Sequence, residues 1–182
     1  MANGKITRSR APRNDLTAEF VRSRLGYDPD TGVLSWKLLP PGVIYRNNTR
    51  AGKPVNTVNR YGYITVRICG HVYSAHRIIW VIMTGVWPSA EIDHISGKRS
   101  DNRWLNLREA TRIENCRNAG IGINNTSGHK GVCWQVRHKK WRAVIMVNRR
   151  SKFLGYFNDV EAASRAYQEA AAELFGEFRR SA

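Results

Sequence analysis

Cysteine is scarce in this chain. Cys69, Cys116 and Cys133 are spread over 182 residues, with no C-x-x-C pair among them. An odd number so widely spaced excludes a disulfide framework and a structural zinc site. It fits a reduced, cytoplasmic setting in which each thiol is a small packing residue. Long apolar runs are missing too. None approaches the roughly 20 residues that a membrane-spanning helix needs. The opening "MANGKITRSRAPRND" has no apolar stretch of the kind a secretory signal carries. Acidic residues are few, 14 against 30 Lys and Arg, which leaves a formal charge of +16. Such an imbalance calls for a polyanionic partner. With a membrane role set aside, nucleic acid is the partner to expect. There is no long-period repeat.

What is present can fold. Apolar side chains make up 42% of the chain, enough for a real core. The first residues, 1–14, read as a flexible basic arm. "LTAEFVRSRLGYD" has the spacing of a short helix, with Thr17 as its cap and Phe20, Val21 and Leu25 as its apolar stripe. "DPDTGVLSW" is a turn entering a strand, and "LPPGVIYRNNTRAGKP" is a loop. In "GYITVRICGHVYSAHRIIWVIM", Ile64, Val66 and Ile68 alternate with Thr65 and Arg67, as a half-buried strand does. Gly70 and His71 suit a hairpin turn. From His76 the spacing becomes helical and ends near Gly85.

The most informative stretch is "EIDHISGKRSDNRWLNLREATRIEN", Glu91 to Asn115. It parses as a strand anchored by Ile92 and Ile95, a loop, a second short strand, and a helix. Thr111-x-x-Glu114 has the form of a capping box at the start of that helix. Asp93 offers a hard oxygen ligand and Asn115 a neutral amide oxygen. Two such donors leave room for water and a phosphate, which suits Mg²⁺, or Mn²⁺, better than Zn²⁺. His94 beside them is a candidate base for activating water, as phosphodiester hydrolysis requires. Neighbouring residues on a regular strand face opposite ways. Asp93 and His94 can therefore share a site only if the strand ends or bends there, as the following Ser96-Gly97 favours. Singly, each of these residues reads equally well as surface polarity, an Asn-rich turn or an exposed helix position. Glu91, Glu109 and Glu114 read as solvated charge or helix cap.

The order Asp-His, Asn, Asn resembles the HNH (His-Asn-His) nucleases with their ββα-metal fold. Within that family, "AHRIIWVIMTGVWPSAEIDHISGKRSDNRWLNLREATRIENCRNA" (75–119) is similar to the phage and intron-encoded homing branch. The resemblance implies a divalent metal on Asp93 and Asn115, with His94 as general base. It implies that Asn106 orients the loop and His94, with Asn102 as the competing assignment. Arg77 matches a His-Arg pair of this branch, which implies a phosphate contact.

"GIGINNTSGHK" (120–130) is a Gly, Asn and Ser rich boundary. Three short strands joined by basic turns follow it, then a helix over "NDVEAASRAYQEAAAELFGEF" capped by Asn158 or Asp159. In "KWRAVIMVN", Trp141, Ala143, Ile145 and Val147 share the face suited to the helix. Arg142, Val144 and Met146 share the other. Leu154 and Phe157 are expected inside, Phe153 and Tyr156 outside. The Arg149–Arg150 turn is a candidate phosphate contact. A small sheet of this kind can enter the major groove. "KGVCWQVRHKKWRAVIMVNRRSKFLGYFNDVEAASRAYQEAAAELFG" (130–176) resembles the plant Apetala/ethylene-response-factor DNA-binding domain. It shares K-G-V, K-W-x-A-x-I, L-G-x-F and E-A-A-x-A-Y. That resemblance implies a sheet reading duplex DNA through Lys130, Trp134, Arg137, Arg142, Val144, Met146 and Phe153.

The expected class is therefore α+β. A ββα-metal nuclease core (71–119) follows the basic arm (1–14) and a mixed α/β element (15–70). A linker (120–129) then leads to a three-stranded antiparallel sheet packed on one helix (130–182). The expected activity is metal-dependent hydrolysis of duplex DNA by a monomer or dimer, nicking one strand per site, without a stable protein partner. The competing expectation is a non-catalytic, sequence-specific DNA-binding regulator with a degenerate HNH segment.

Overall fold

The computed structural model describes residues 13–38, 50–122 and 124–179. Almost all of the basic arm and most of the loop expected at 39–54 lie outside them. Helix α1 (Ala18–Arg24) is capped as its sequence requires, with Thr17 accepting the Phe20 N–H through its hydroxyl at 3.2 Å. Its buried face carries Val21, and the next residue but three, Leu25, opens strand β1 (Leu25–Tyr27). This strand pairs antiparallel with β2 (Leu34–Trp36), Leu25 lying opposite Trp36.

Strands β3 (Thr57–Val58), β4 (Ile64–Ile68) and β5 (His71–Ser74) form an antiparallel sheet in that order. Val66 and Ile68 are buried while Arg67 between them is exposed, the alternation the sequence implies. The β4–β5 turn sits one residue earlier than expected. Cys69 and Gly70 take it, with φ of 47° and 80°, and His71 already belongs to β5 and pairs with Ile68. Two consecutive left-handed residues are what a tight two-residue hairpin demands, so the glycine fills the second position and a cysteine the first. Helix α2 (Ala75–Thr84) follows without a break and stops at Gly85, whose φ of 84° is the usual left-handed helix end.

The first core gathers Val21, Leu25, Leu34, Val66, Ile68, Ile78, Ile79 and Val81. Full burial of each such side chain stabilises the fold by roughly 1.5–3 kcal/mol. Trp80 and Trp104 pack at its margin with ring centres 5.1 Å apart.

Strands β6 (Glu91–His94) and β7 (Leu107–Ala110) form a two-stranded sheet, and helix α3 (Arg112–Asn118) follows β7. The order strand, long loop, strand, helix is the one expected for residues 91–118. The loop is tied down along its length. Arg99 donates to the Tyr61 carbonyl at 2.9 Å, Tyr27 to the Asn102 carbonyl at 2.8 Å, and the Trp104 N–H to the Pro29 carbonyl at 3.0 Å. The α3 capping box is complete in both directions, between Thr111 and Glu114. Ile95, expected to anchor β6, is 42% exposed; only Ile92 anchors it.

Strands β8 (Val132–Gln135), β9 (Lys140–Val147) and β10 (Arg150–Phe157) make an antiparallel sheet with β9 in the middle. Helix α4 (Val160–Phe175) covers one face and is capped by Asp159, which accepts the Ala162 N–H at 2.9 Å. Val132, Ala143, Ile145, Ala163, Ala171 and Phe175 are buried between them. The molecule is thus α+β with small antiparallel sheets.

The chain divides into two compact units. One holds the described residues up to Ile92 with Arg99–Leu107; the other holds Asp93–Lys98 with everything from Arg108 onward. All three cysteines are exposed, so none is the packing residue expected. Among the described residues no helix is long and apolar enough to cross a membrane.

Candidate active site and nucleic-acid face

Strand β6 reads intermediate, buried, buried, buried from Glu91 to His94. Three consecutive buried residues break the alternation of an ordinary strand. Its end explains this: the Gly97 N–H returns to the His94 carbonyl at 2.7 Å, with Gly97 at φ 70°, so the chain turns immediately after His94. Asp93 is 5% exposed and His94 3%. Two adjacent polar side chains are therefore buried together where the strand gives way to a turn, the condition the sequence set for a shared site.

Asp93 is well supplied with donors. Arg108, in β7, places both Nε and Nη2 on Asp93 Oδ2, at 3.1 and 2.9 Å. The other carboxylate oxygen, Oδ1, receives Asn118 Nδ2 at 3.1 Å. That same nitrogen reaches Oδ2 at 3.0 Å, the His94 carbonyl at 2.8 Å and the Ile95 carbonyl at 3.3 Å. Asn118 is 2% exposed, and its remaining polar atom, Oδ1, is buried with no hydrogen-bond partner. Arg108 continues outward: Nη1 donates to the Glu177 carbonyl at 2.7 Å, and the guanidinium lies over the Phe178 ring at 4.0 Å.

Asn115 stands one turn before Asn118 on α3, half-buried, with its backbone N–H on the Thr111 carbonyl. Residues three apart share a helix face, so the two asparagines lie on one side of α3. Asn106 closes the 3-10 turn Trp104–Asn106 that leads into β7. It is 7% exposed, and its amide donates to the Asp101 carbonyl at 2.6 Å, fixing the loop from within. Asn102, the competing residue, is 3% exposed and accepts Tyr27 through its backbone carbonyl. Arg77 donates to the Ala90 carbonyl at 3.3 Å and to Asn14 at 2.9 Å, with Trp87 alongside at 5.8 Å.

Asp93 and His94 thus end β6, and Asn115 lies on α3 in the same compact unit. Arg108 and Asn118 hold Asp93 without belonging to the Asp-His, Asn, Asn pattern. Asn118 carried a usable signal, its three-residue spacing from Asn115 on a helix. Arg108 carried none, because nothing local says which acid a strand arginine meets.

The face of the C-terminal sheet away from α4 bears Arg142, Val144 and Met146 in β9. The register sets Tyr156 and Cys133 beside Arg142, and Phe153 beside Val144. Met146, Phe153 and Tyr156 are 59%, 50% and 39% exposed. Arg137 lies exposed in the 3-10 turn Val136–His138. Asn148 and Arg149 form the β9–β10 turn, both left-handed, and Arg149 and Arg150 are exposed. Two expected contacts stand elsewhere. Trp134 pairs with Trp141, on the face that α4 covers, and packs edge-on against it at 5.1 Å. Lys130 turns its ammonium to the last carbonyls of α3, those of Arg117 and Ala119. Between α3 and the sheet runs a groove of about 640 Å³, bounded by Arg112, Arg117, Lys130, Met146 and Arg149.

Residues 73–117 match the family model described as HNH endonuclease, so the ββα segment is an HNH endonuclease domain. A relative, protein 3.8 of Escherichia phage T7, is 30% identical over 106 residues, which cover 58% of this chain and 87% of that protein. The chain belongs to the family of that phage protein. A solved structure described as "DNA binding and cleavage by the HNH homing endonuclease I-HmuI" shares 16% identity over 85% of each chain. Its TM-score of 0.38 is too low for any inference to this chain.

Proposed function

We propose that the protein is a metal-dependent endonuclease that hydrolyses phosphodiester bonds in duplex DNA, with the HNH segment as its active site. The observation that carries this reading is the burial of Asp93 and His94 side by side at the end of β6, inside the matched segment. His94 takes a proton from the attacking water. Asn106 holds its loop through the Asp101 carbonyl. Asp93 and Asn115 are the residues that would hold a divalent cation, Mg²⁺ first and Mn²⁺ as the alternative.

The donor chemistry fits such an ion. It consists of a carboxylate, amide oxygens and the buried, unpartnered Oδ1 of Asn118. Among the described residues no group of three or more His, Cys, Asp or Glu is gathered in one place. When bound, the cation supplies charge neutralisation at the phosphate and the leaving oxygen.

Substrate binding is assigned to the exposed sheet face and its turn. Arg142, Val144, Met146 and Phe153 meet the groove, Arg137, Arg149 and Arg150 the phosphates. Basic side chains beside exposed apolar ones support this assignment, as does the Apetala-like pattern of the sequence. Lys130 acts here by holding α3, and Arg77 by holding the chain near Ala90. One site per chain cuts one strand, so a monomer nicks.

Supercoiled plasmid incubated with the purified protein and Mg²⁺ tests the proposal. Nicked circles that disappear in Asp93→Ala and His94→Ala are expected. Plasmid that is shifted in a gel yet stays intact with the parent protein would instead identify a DNA-binding regulator.

A further inference from the structure

Arg108 has no part in the mechanism above, yet all three of its guanidinium nitrogens are engaged. Nε and Nη2 fix Asp93 Oδ2. Nη1 is fixed in turn by the Glu177 carbonyl, and Phe178 covers the guanidinium face. The side chain is only 13% exposed. A planar fork held at three edges and one face has a single orientation. We infer that Arg108 is a positioning residue, through which the C-terminal turn Gly176–Phe178 sets the angle of the Asp93 carboxylate. It takes Oδ2 and leaves Oδ1, beside the Asn118 amide, as the oxygen presented to a cation.

The inference rests on the nuclease reading of Asp93. It goes beyond that reading by making residues far along the chain, Glu177 and Phe178, determinants of cation affinity. Two effects of Arg108 have opposite sign. As a nearby positive charge it weakens cation binding; as an orienting group it strengthens it. The geometry favours orientation, because the contact is two-pronged and confined to one oxygen. Outer partners that orient a ligand are worth roughly 10–100-fold in metal affinity.

The test uses the full-length protein and Mn²⁺ as probe, with free Mn²⁺ followed by electron paramagnetic resonance and nicking measured against Mn²⁺ concentration. Arg108→Gln should need roughly 10–100-fold more Mn²⁺ for half-saturation. Phe178→Ala, which removes only the ring against the Arg108 guanidinium, should shift it in the same direction by a smaller factor. DNA affinity should be unchanged, and nicking should recover at high Mn²⁺. Arg108→Lys should not restore parental affinity, since an ammonium cannot bridge Oδ2 and the Glu177 carbonyl in fixed geometry. Thermal melts confirm that each variant is folded, and Phe178→Ala serves if Arg108→Gln is not. Parental Mn²⁺ affinity in the folded variants, or tighter binding in Arg108→Gln, overturns the inference while leaving the nuclease reading intact. A parent protein that neither binds Mn²⁺ nor nicks DNA removes both.

Discussion

At the scale of single residues, one amide does more than its position suggests. Asn118 donates to a carboxylate and to two carbonyls from inside a nearly dry site. Removing a buried donor leaves its acceptors unsatisfied, at about 1–3 kcal/mol. Asn118→Ala should lower stability by that amount in denaturant melts, with the loss centred on α3 and the end of β6. Asp93, His94 and Asn115 stand out in the sequence through a motif resemblance, and the burial of Asp93 with His94 meets the one condition that reading set. Arg108 does not stand out, since its meaning depends on a partner fifteen residues earlier and on a turn near residue 177.

At the scale of elements, α3 depends on its first turn. It is only seven residues long, too short to persist without its cap and packing. The Thr111 hydroxyl, and after it the Thr111 N–H, hold the Glu114 carboxyl below its ordinary value. A depressed carboxyl contributes stability above its ordinary titration range and loses it as pH falls through the lowered value. Thr111→Ala should therefore lower the thermal midpoint at neutral pH. The gap from the parent should narrow in acid, below the carboxylate range, to what the Glu114 N–H to Thr111 hydroxyl bond contributes. Gly131 is a sharper case. Its φ is +72°, and an added Cβ would stand 2.3 Å from the Tyr167 ring and 2.5 Å from the Val144 carbonyl. Gly131→Ala should cost at least the roughly 1–3 kcal/mol of a strained backbone, and circular dichroism melts would show it.

The capping box, the strand alternation in β4 and the α4 cap could all be read from short sequence windows, because each is a local bond pattern. The Cys69–Gly70 turn was misplaced by one residue. Register is settled across two strands, and no window along one strand contains it.

At the scale of the whole molecule, the excess of Lys and Arg is a statement about salt. If about eight phosphates are neutralised, the log of the DNA binding constant should fall with the log of salt concentration at a slope near −7. Filter binding or fluorescence anisotropy across a salt series checks this. A slope near zero would mean that the +16 charge has another purpose. Removing both exposed turn arginines, Arg149 and Arg150, should flatten the slope by up to about two. The α+β class was legible from the sequence of periodicities. The grouping of Asp93–Lys98 with everything after Arg108 was not, since it follows from packing between distant segments.

The pairing of β9 with β10 skips Leu154: Phe153 lies opposite Val144, and Gly155 opposite Ala143. That extra residue lets Leu154 and Phe157 both point into the core while Phe153 and Tyr156 stay outside. Deleting Leu154 would restore regular alternation, leaving Phe153 opposite Val144 and Gly155 opposite Ala143. The surface would keep its outward residues, and only the core beneath α4 would lose a side chain.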